Sequence, residues 1–407
     1  MLLLIRVRLA TRSTIGLGTW LMIALGCTCL FAQHDEMVHS AVTLSPPGIQ
    51  VEPIKIALVH EALPSEQNAG NSDSPTYGTW QIGRIAWHQS TLAHLMCREA
   101  SALELMGHKA KPHSQELASR FLRKNSSRLA QISSEQAMIL HSGLFAALQG
   151  RPLLLQSLSA LDAAIEQQNV AIQNGIPIDD PTKLKGQRIE AQDRYASNEL
   201  LIHKLRSQLL LLIPRDVACP YIPTQDLEEF PIPEDLCAEI AAALTRRCDL
   251  IALRELSHSL TRQDLELARS IIGKVIGATL VVDRVQGLGS LANCLTGKAD
   301  DELCMRRSQL DEATKMLERQ ISNQVEQNWL DWKTSSERLR LARELIEVRK
   351  ERIQQLQAMG ELGKPLPGLL LIAKAEWIQA EGEAIERAHE LREAILHWLS
   401  STGQLSF

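Results

Sequence analysis

An all-α fold of long antiparallel coiled-coil hairpins, one in each of two internal repeats, is the fold class this sequence predicts, and three observations predict it. The first is a pattern that occurs twice: a long helical stretch meets a Gly/Pro-rich break and resumes as a shorter amphipathic helix. The breaks are Asn174-Gly175-Ile176-Pro177-Ile178-Asp179-Asp180-Pro181 and Gly360-Glu361-Leu362-Gly363-Lys364-Pro365-Leu366-Pro367-Gly368. Repeated hairpins of this kind point to a tube, stalk or bundle. The second is composition: aromatics are only 4% of 407 residues, while the good helix formers dominate. The third is apolar spacing that alternates between three and four residues along the long stretches, the seam of a coiled coil.

Taken in order, residues 1–32 read as a secretion signal. Arg6, Arg8 and Arg12 precede an apolar run from Trp20 to Phe31, with cleavage placed after Ala32. A membrane anchor is the alternative, but the run is shorter than the ~20 residues a spanning helix needs. Ala24-Leu25-Gly26-Cys27 leaves a third reading open, lipidation at Cys27. Residues 33–84 form a mostly irregular extension, with a short edge strand available at Val51 to Val59 because Pro53 keeps it off a central position.

The first repeat spans 85–213. It opens with a helix from Ile85 to Met106, then a long helix from Ser114 to Asn174 with a kink expected near Gly150-Arg151-Pro152. Leu154, Leu158, Leu161, Ile165 and Ile172 mark its seam, and Ala191, Tyr195, Ile202, Leu205, Leu209 and Leu212 mark the returning one. A Pro-rich connector, 214–233, leads into the second repeat, 234–407. There Pro233-Glu234-Asp235 opens a helix expected to reach Ile276, and acids suit its first turn. Val325, Trp329, Trp332, Leu339, Ile346 and Ile353 then mark the second long helix. Trp377, Ala384, Ala388, Leu391, Ile395 and Trp398 mark its return.

Lengths constrain the packing. Each long helix of ~60 residues spans ~90 Å and each return only ~50 Å, so part of each long helix needs another partner. The 234–276 helix is expected to stack above the first return.

The residues exclude several function classes. A net charge of -5 provides no basic field for nucleic acid. No Cys or His pattern has metal-ligand spacing, and Gly287-Leu288-Gly289 lacks the rest of a phosphate-binding fingerprint. No cofactor, metal site or enzymatic activity is expected. Cys294 and Cys304 bracket a Gly-containing loop and either pair in an oxidising compartment or remain thiols buried on helices.

Three segments resemble the TolC family of outer-membrane efflux channels. Ala243-Leu244-Thr245-Arg246-Arg247-Cys248-Asp249-Leu250-Ile251-Ala252-Leu253-Arg254 resembles that family's AL..RPDL.ALR segment, with Cys248 where Pro is usual. Gly368-Leu369-Leu370-Leu371-Ile372-Ala373 resembles the run that begins the return after the second turn, without the usual acid. Leu391 to Leu405, with Trp398 and Gly403, resembles the family's ending. The resemblance implies a homotrimeric helical conduit in the outer membrane or periplasm, docked through its hairpin tips to a periplasmic adaptor and inner-membrane transporter. It also implies membrane strands just before each long helix, but Gly107 to Pro112 has no room for two spanning strands of ~9–11 residues. Gly277 to Ala299 has room for one hairpin around Ala278-Thr279-Leu280-Val281-Val282. A non-conducting coiled-coil spacer is therefore the alternative.

The candidate docking residues are Asn174, Gly175, Asp179 and Asp180 at the first tip. At the second they are Gly360, Glu361, Gly363 and Lys364. Their acids either ring the narrow end of a conduit or simply solvate a loop and cap a helix.

Overall fold

The computed structural model describes residues 76–106, 112–175, 181–214, 222–224, 232–269, 271, 299–362 and 368–407. The signal, the Val51–Val59 strand, the Ala278–Val282 hairpin and Cys294 lie outside the described residues. The chain divides into two compact units. Ser74–Ser259 with Thr314–Phe407 make one, and the described part of the other falls within Leu260–Ala313.

The described elements run in this order: β1 (Thr76–Gly78), α1 (Thr79–Gln89), α2 (Thr91–Met106), α3 (Pro112–Gln173), α4 (Pro181–Leu212), β2 (Ile222–Thr224), α5 (Leu236–Arg246), α6 (Cys248–Ser259), a 3-10 turn (Arg262–Asp264), α7 (Ala299–Glu361) and α8 (Leu369–Ser401). The two long hairpins are α3–α4 and α7–α8, as the two Gly/Pro breaks require.

The opening of each repeat departs from expectation. The first helix begins at Thr79 rather than Ile85, and Ser90 interrupts it. Gly83 weakens the local helical signal, yet its lack of a side chain lets α1 lie close on α3. A Cβ there would meet the Met138 sulfur at 2.5 Å. The connector is not wholly irregular either. Ile222–Thr224 pairs in parallel with Thr76–Gly78, Tyr77 opposite Pro223, in a two-stranded ladder where Pro is tolerated. Three-residue strands carry no readable periodicity.

The helix expected over 234–276 is broken at Arg247, which adopts extended angles (φ -65, ψ 114) between α5 and α6. It also does not stack on the first return. Ile82 and Ala86 of α1 share a buried cluster with Ile202, Leu209 and Ile213 of α4, so α1 abuts the end of that return. The hydrogen bonds Ser90–Ser133 and Glu104–Arg123 carry α1 and α2 onward along α3. In the second repeat α5 buries Ala243 against Ile321 and Val325 of α7. Each long helix is thus completed by the helices that precede it in the chain.

The seam positions divide between buried and half-buried, as spacing on a packed face predicts, with Ile172 exposed. Ala191, Ile202, Leu209, Val325, Trp332, Leu339, Leu391, Ile395 and Trp398 are buried. The lower α3 seam is rotated: Ser157, Leu161, Ala164 and Ala171 are buried, whereas Ile172 is exposed. Small residues there admit both α4 and α8 against one helix, as the shared cluster of Leu161, Ala164, Leu184 and Ala375 shows. Trp332 and Trp398 pack ring against ring at 5.0 Å within the cluster that joins α7, α8 and Met138 of α3. Trp332 and Trp398, with Trp329 against them, serve packing, as their spacing suggested.

Among the described residues no thiol is buried: Cys237 and Cys304 are exposed, Cys97 and Cys248 half-buried, and all four are free. In the second unit, Glu302 receives a bidentate pair of bonds from Arg269 at 2.7 and 2.6 Å, which holds its carboxyl below the usual range. Arg307 donates to the Leu260 carbonyl at 2.6 Å.

Candidate functional site

The first tip closes with Gly175 at φ 79, a left-handed conformation natural to glycine, and its N–H donates to the Ile172 carbonyl at 3.0 Å. Asn174 and Gly175 are exposed, and nothing lies within 4 Å of where a Gly175 Cβ would stand. At the second tip Gly360 and Glu361 end α7, both exposed, with open space around Gly360. Asp179, Asp180, Gly363 and Lys364 lie outside the described residues. The return begins at Gly368 (φ 77), whose N–H donates to Gln167 Oε1 at 3.2 Å. That bond ties the second return to α3.

At the other end of α8 the structure brings together two segments that the sequence keeps far apart. Arg247 and Asp249 form an ion pair at 2.6 Å with side chains only 1% and 4% exposed. Asp249 also accepts from the Leu250 N–H at 3.0 Å. Burial opposes the charge on Asp249, but the charge and hydrogen bonds of Arg247 outweigh it and hold the carboxyl below its ordinary range. Arg247 reaches on to the Ser401 carbonyl at 3.4 Å, and Arg128 of α3 donates to the Ser400 carbonyl at 3.2 Å. Burial, with Arg247 close by, lowers Arg128 to about 10.

The end of α8 itself is a Schellman turn. Gln404 N–H bonds the Leu399 carbonyl, Gly403 N–H bonds Ser400, and Gly403 sits at φ 72. Leu405 follows into the core. One turn earlier, His397 bonds Glu135 of α3 at 2.6 Å and lies 3.5 Å from Glu393. Burial opposes its charge, yet bonds to Glu135 and Glu393 and the field of those carboxylates raise it to about 10. Asn328 of α7 donates to the His397 carbonyl at 3.0 Å. Sequence reading singled out Arg247, Asp249, Trp398, Gly403 and Leu405 by motif but missed Arg128, Glu135 and Asn328. Nothing in the local pattern of those three distinguishes them from solvated helix positions.

Cys248 occupies the first helical position of α6, where an N–H has no helical partner and Pro is favoured. The extended Arg247 before it has the backbone that a following Pro demands. The substitution of Cys at the usual Pro position therefore leaves the break intact.

This arrangement positions helices; it brings no nucleophile, base and orienting group together. Among the described residues no group of three or more His, Cys, Asp or Glu is placed to hold a metal ion, and no helix is long and apolar enough to cross a membrane.

No family model matches the sequence, and no curated protein matches it. Solved structures do. The Campylobacter jejuni CmeC outer membrane channel is similar with a TM-score of 0.58 and 10% identity, over 81% of this chain and 86% of that one. The CusC channel gives 0.57 and 10%, over 80% and 92%, and the outer-membrane channel OprN gives 0.56 and 14%, over 80% and 90%. At such identities the likeness shows a shared fold, that of TolC-like outer-membrane channels.

Proposed function

We propose that this chain is an exported, TolC-like component of an efflux or secretion system. Three copies enclose a helical conduit at the outer membrane or in the periplasm. The turns at 174–181 and 360–368 dock a periplasmic adaptor that links the conduit to an inner-membrane transporter. The observation that carries the reading is the fold, shared over 81% of this chain and 86% of CmeC, an outer membrane channel. The exposed, unencumbered backbone at Asn174, Gly175 and Gly360 supports the tips as the docking surface. The residues named carry no catalytic role.

Deleting the gene from its host tests this directly. Accumulation of a fluorescent exported dye rises, and photo-cross-linkers placed at Asn174 and Glu361 capture an adaptor. Unchanged accumulation with no captured adaptor overturns the conduit.

One observation favours a second reading, a non-conducting spacer. Only five positions separate Met106 from Pro112, fewer than one membrane-crossing strand of ~9–11 residues needs. The first repeat therefore has no place for its share of a membrane barrel. Purified protein that adds no conductance to a lipid bilayer supports the spacer.

A further inference from the structure

We propose that His389 is an acid-sensitive joint between the two hairpins: when its ring takes up a proton, α8 loosens from α3 between the tip and the junction, while the junction stays closed. The ring is half-buried and stands where three helices meet. Its Nδ1 lies 3.2 Å from Ser142 Oγ of α3. Its Nε2 lies 3.2 Å from where a Cβ on Gly143 would stand, with Leu205 of α4 beside them. A side chain at position 143 would press on the ring, so the close approach of α8 to α3 here depends on glycine. Three sets of polar ties join these helices. Gln167 holds Gly368 at the tip end, Ser142 holds His389 in the middle, and Glu135 and Arg128 hold His397 and Ser400 at the junction.

The groups around the ring are poorly placed to neutralise a proton on it. On α8, Glu390, Arg392 and Glu393 face it. Glu390 already accepts two bonds of 2.9 Å from Arg387. Glu393 lies 3.5 Å from His397, whose other ring nitrogen is bonded to Glu135. Arg392 is itself a cation, set over the Phe145 ring of α3. Among the described residues, α3 offers Ser142 and Gly143 at this level and α4 offers Leu205, with Lys204 and Arg206 of α4 exposed. A proton on His389 therefore adds an imidazolium about two turns from that of His397, beside carboxylates already engaged.

Burial, joined by Arg392, opposes that charge more than Glu393 and Glu390 favour it, so the imidazole is held below the ordinary ~6.5 of histidine. The neutral ring is the form that fits. The tie is intact above the ordinary histidine range and weakens as pH falls below it. The junction behaves differently. His397 is raised to about 10, while Asp249 and Glu393 are lowered, so all three stay charged in mild acid. Glu381 of α8 is raised by burial and gains from acid, which works against the loosening rather than imitating it. One chain carries the whole device, so it goes beyond the conduit reading and does not depend on it.

Hydrogen exchange of the purified full chain, read by mass spectrometry at about pH 7.5 and about pH 5 and corrected for the intrinsic rate, tests it. Protection of α8 from Trp377 to Arg392 falls about ten-fold in acid, while protection from His397 to Ser401 holds. His389→Asn keeps a bonding group toward Ser142 but cannot titrate, and its protection is the same at both pH values. A wild type equally protected at both, or a variant that loses protection as the wild type does, overturns the joint. A nuclear magnetic resonance titration of the wild-type histidine rings keeps the test open should the variant fail to fold. It requires a ring titrating below the ordinary ~6.5, and the absence of one overturns the joint as well.

Discussion

At its C-terminal end α8 is gripped by Arg128 and Glu135 from α3, Arg247 from the α5–α6 junction and Asn328 from α7. Its first turn is tied to α3 by the bond from Gly368 to Gln167. The same helix is therefore held by buried polar bonds at one end. At the other, beside the proposed docking turns, it is held by apolar packing with a few bonds. A buried ion pair with satisfied bonds resists any local change, since removing one partner leaves a desolvated charge. An exposed turn carries no such penalty and is free to adjust to a partner. The comparison teaches where stability is stored: at the junction, away from the tips.

The sharpest way to break this contrast is Asp249→Ala. It strands Arg247 in the interior, and the expected loss is roughly 3 to 5 kcal/mol in denaturant unfolding. A loss below ~1 kcal/mol would show that the junction is no lock.

Two glycines probe the ends with one substitution. Gly403→Ala forces a left-handed residue and puts its Cβ 3.2 Å from Arg246 Cβ, for an expected loss of roughly 2 to 3 kcal/mol. Gly175→Ala carries the same backbone strain in open space, about 1 kcal/mol, confined to the tip. Equal effects on the global unfolding midpoint would erase the difference between the ends.

The third test uses pH. His397 is raised above the ~6.5 of an unfolded histidine, so its contribution is full below that value. It is lost as pH rises through about 10. The melting temperature of the wild type therefore falls between pH 7 and 10, and His397→Gln flattens that fall. Parallel profiles for the two proteins would remove His397 from the lock.

The smallest effect is a gain. Cys248→Pro restricts the unfolded chain at a position already suited to Pro, and it raises stability by about 0.4 to 1 kcal/mol. A destabilised variant would mean that the Cys248 N–H has a structural role.

The repeated Gly/Pro breaks and the three-four spacing determined by themselves that the chain makes two helical hairpins. They also placed Trp332, Leu339, Ile395 and Trp398 in the core, because helix periodicity is local and burial follows the apolar face. The two turns were legible for the same reason: Gly175 and Gly368 stand where a helix must reverse. What only the tertiary structure decided is which helix covers which. The chain pattern of α5 and α6 matched a helix stacked on the first return, yet α1 holds that place, because Gly83 lets it approach Met138 closely. The pairing of Arg247 and Asp249 with Ser401, and of His397 with Glu135, was equally hidden. Charged residues at helical spacing look the same whether solvated or buried, and the difference is made by which distant surface arrives to desolvate them.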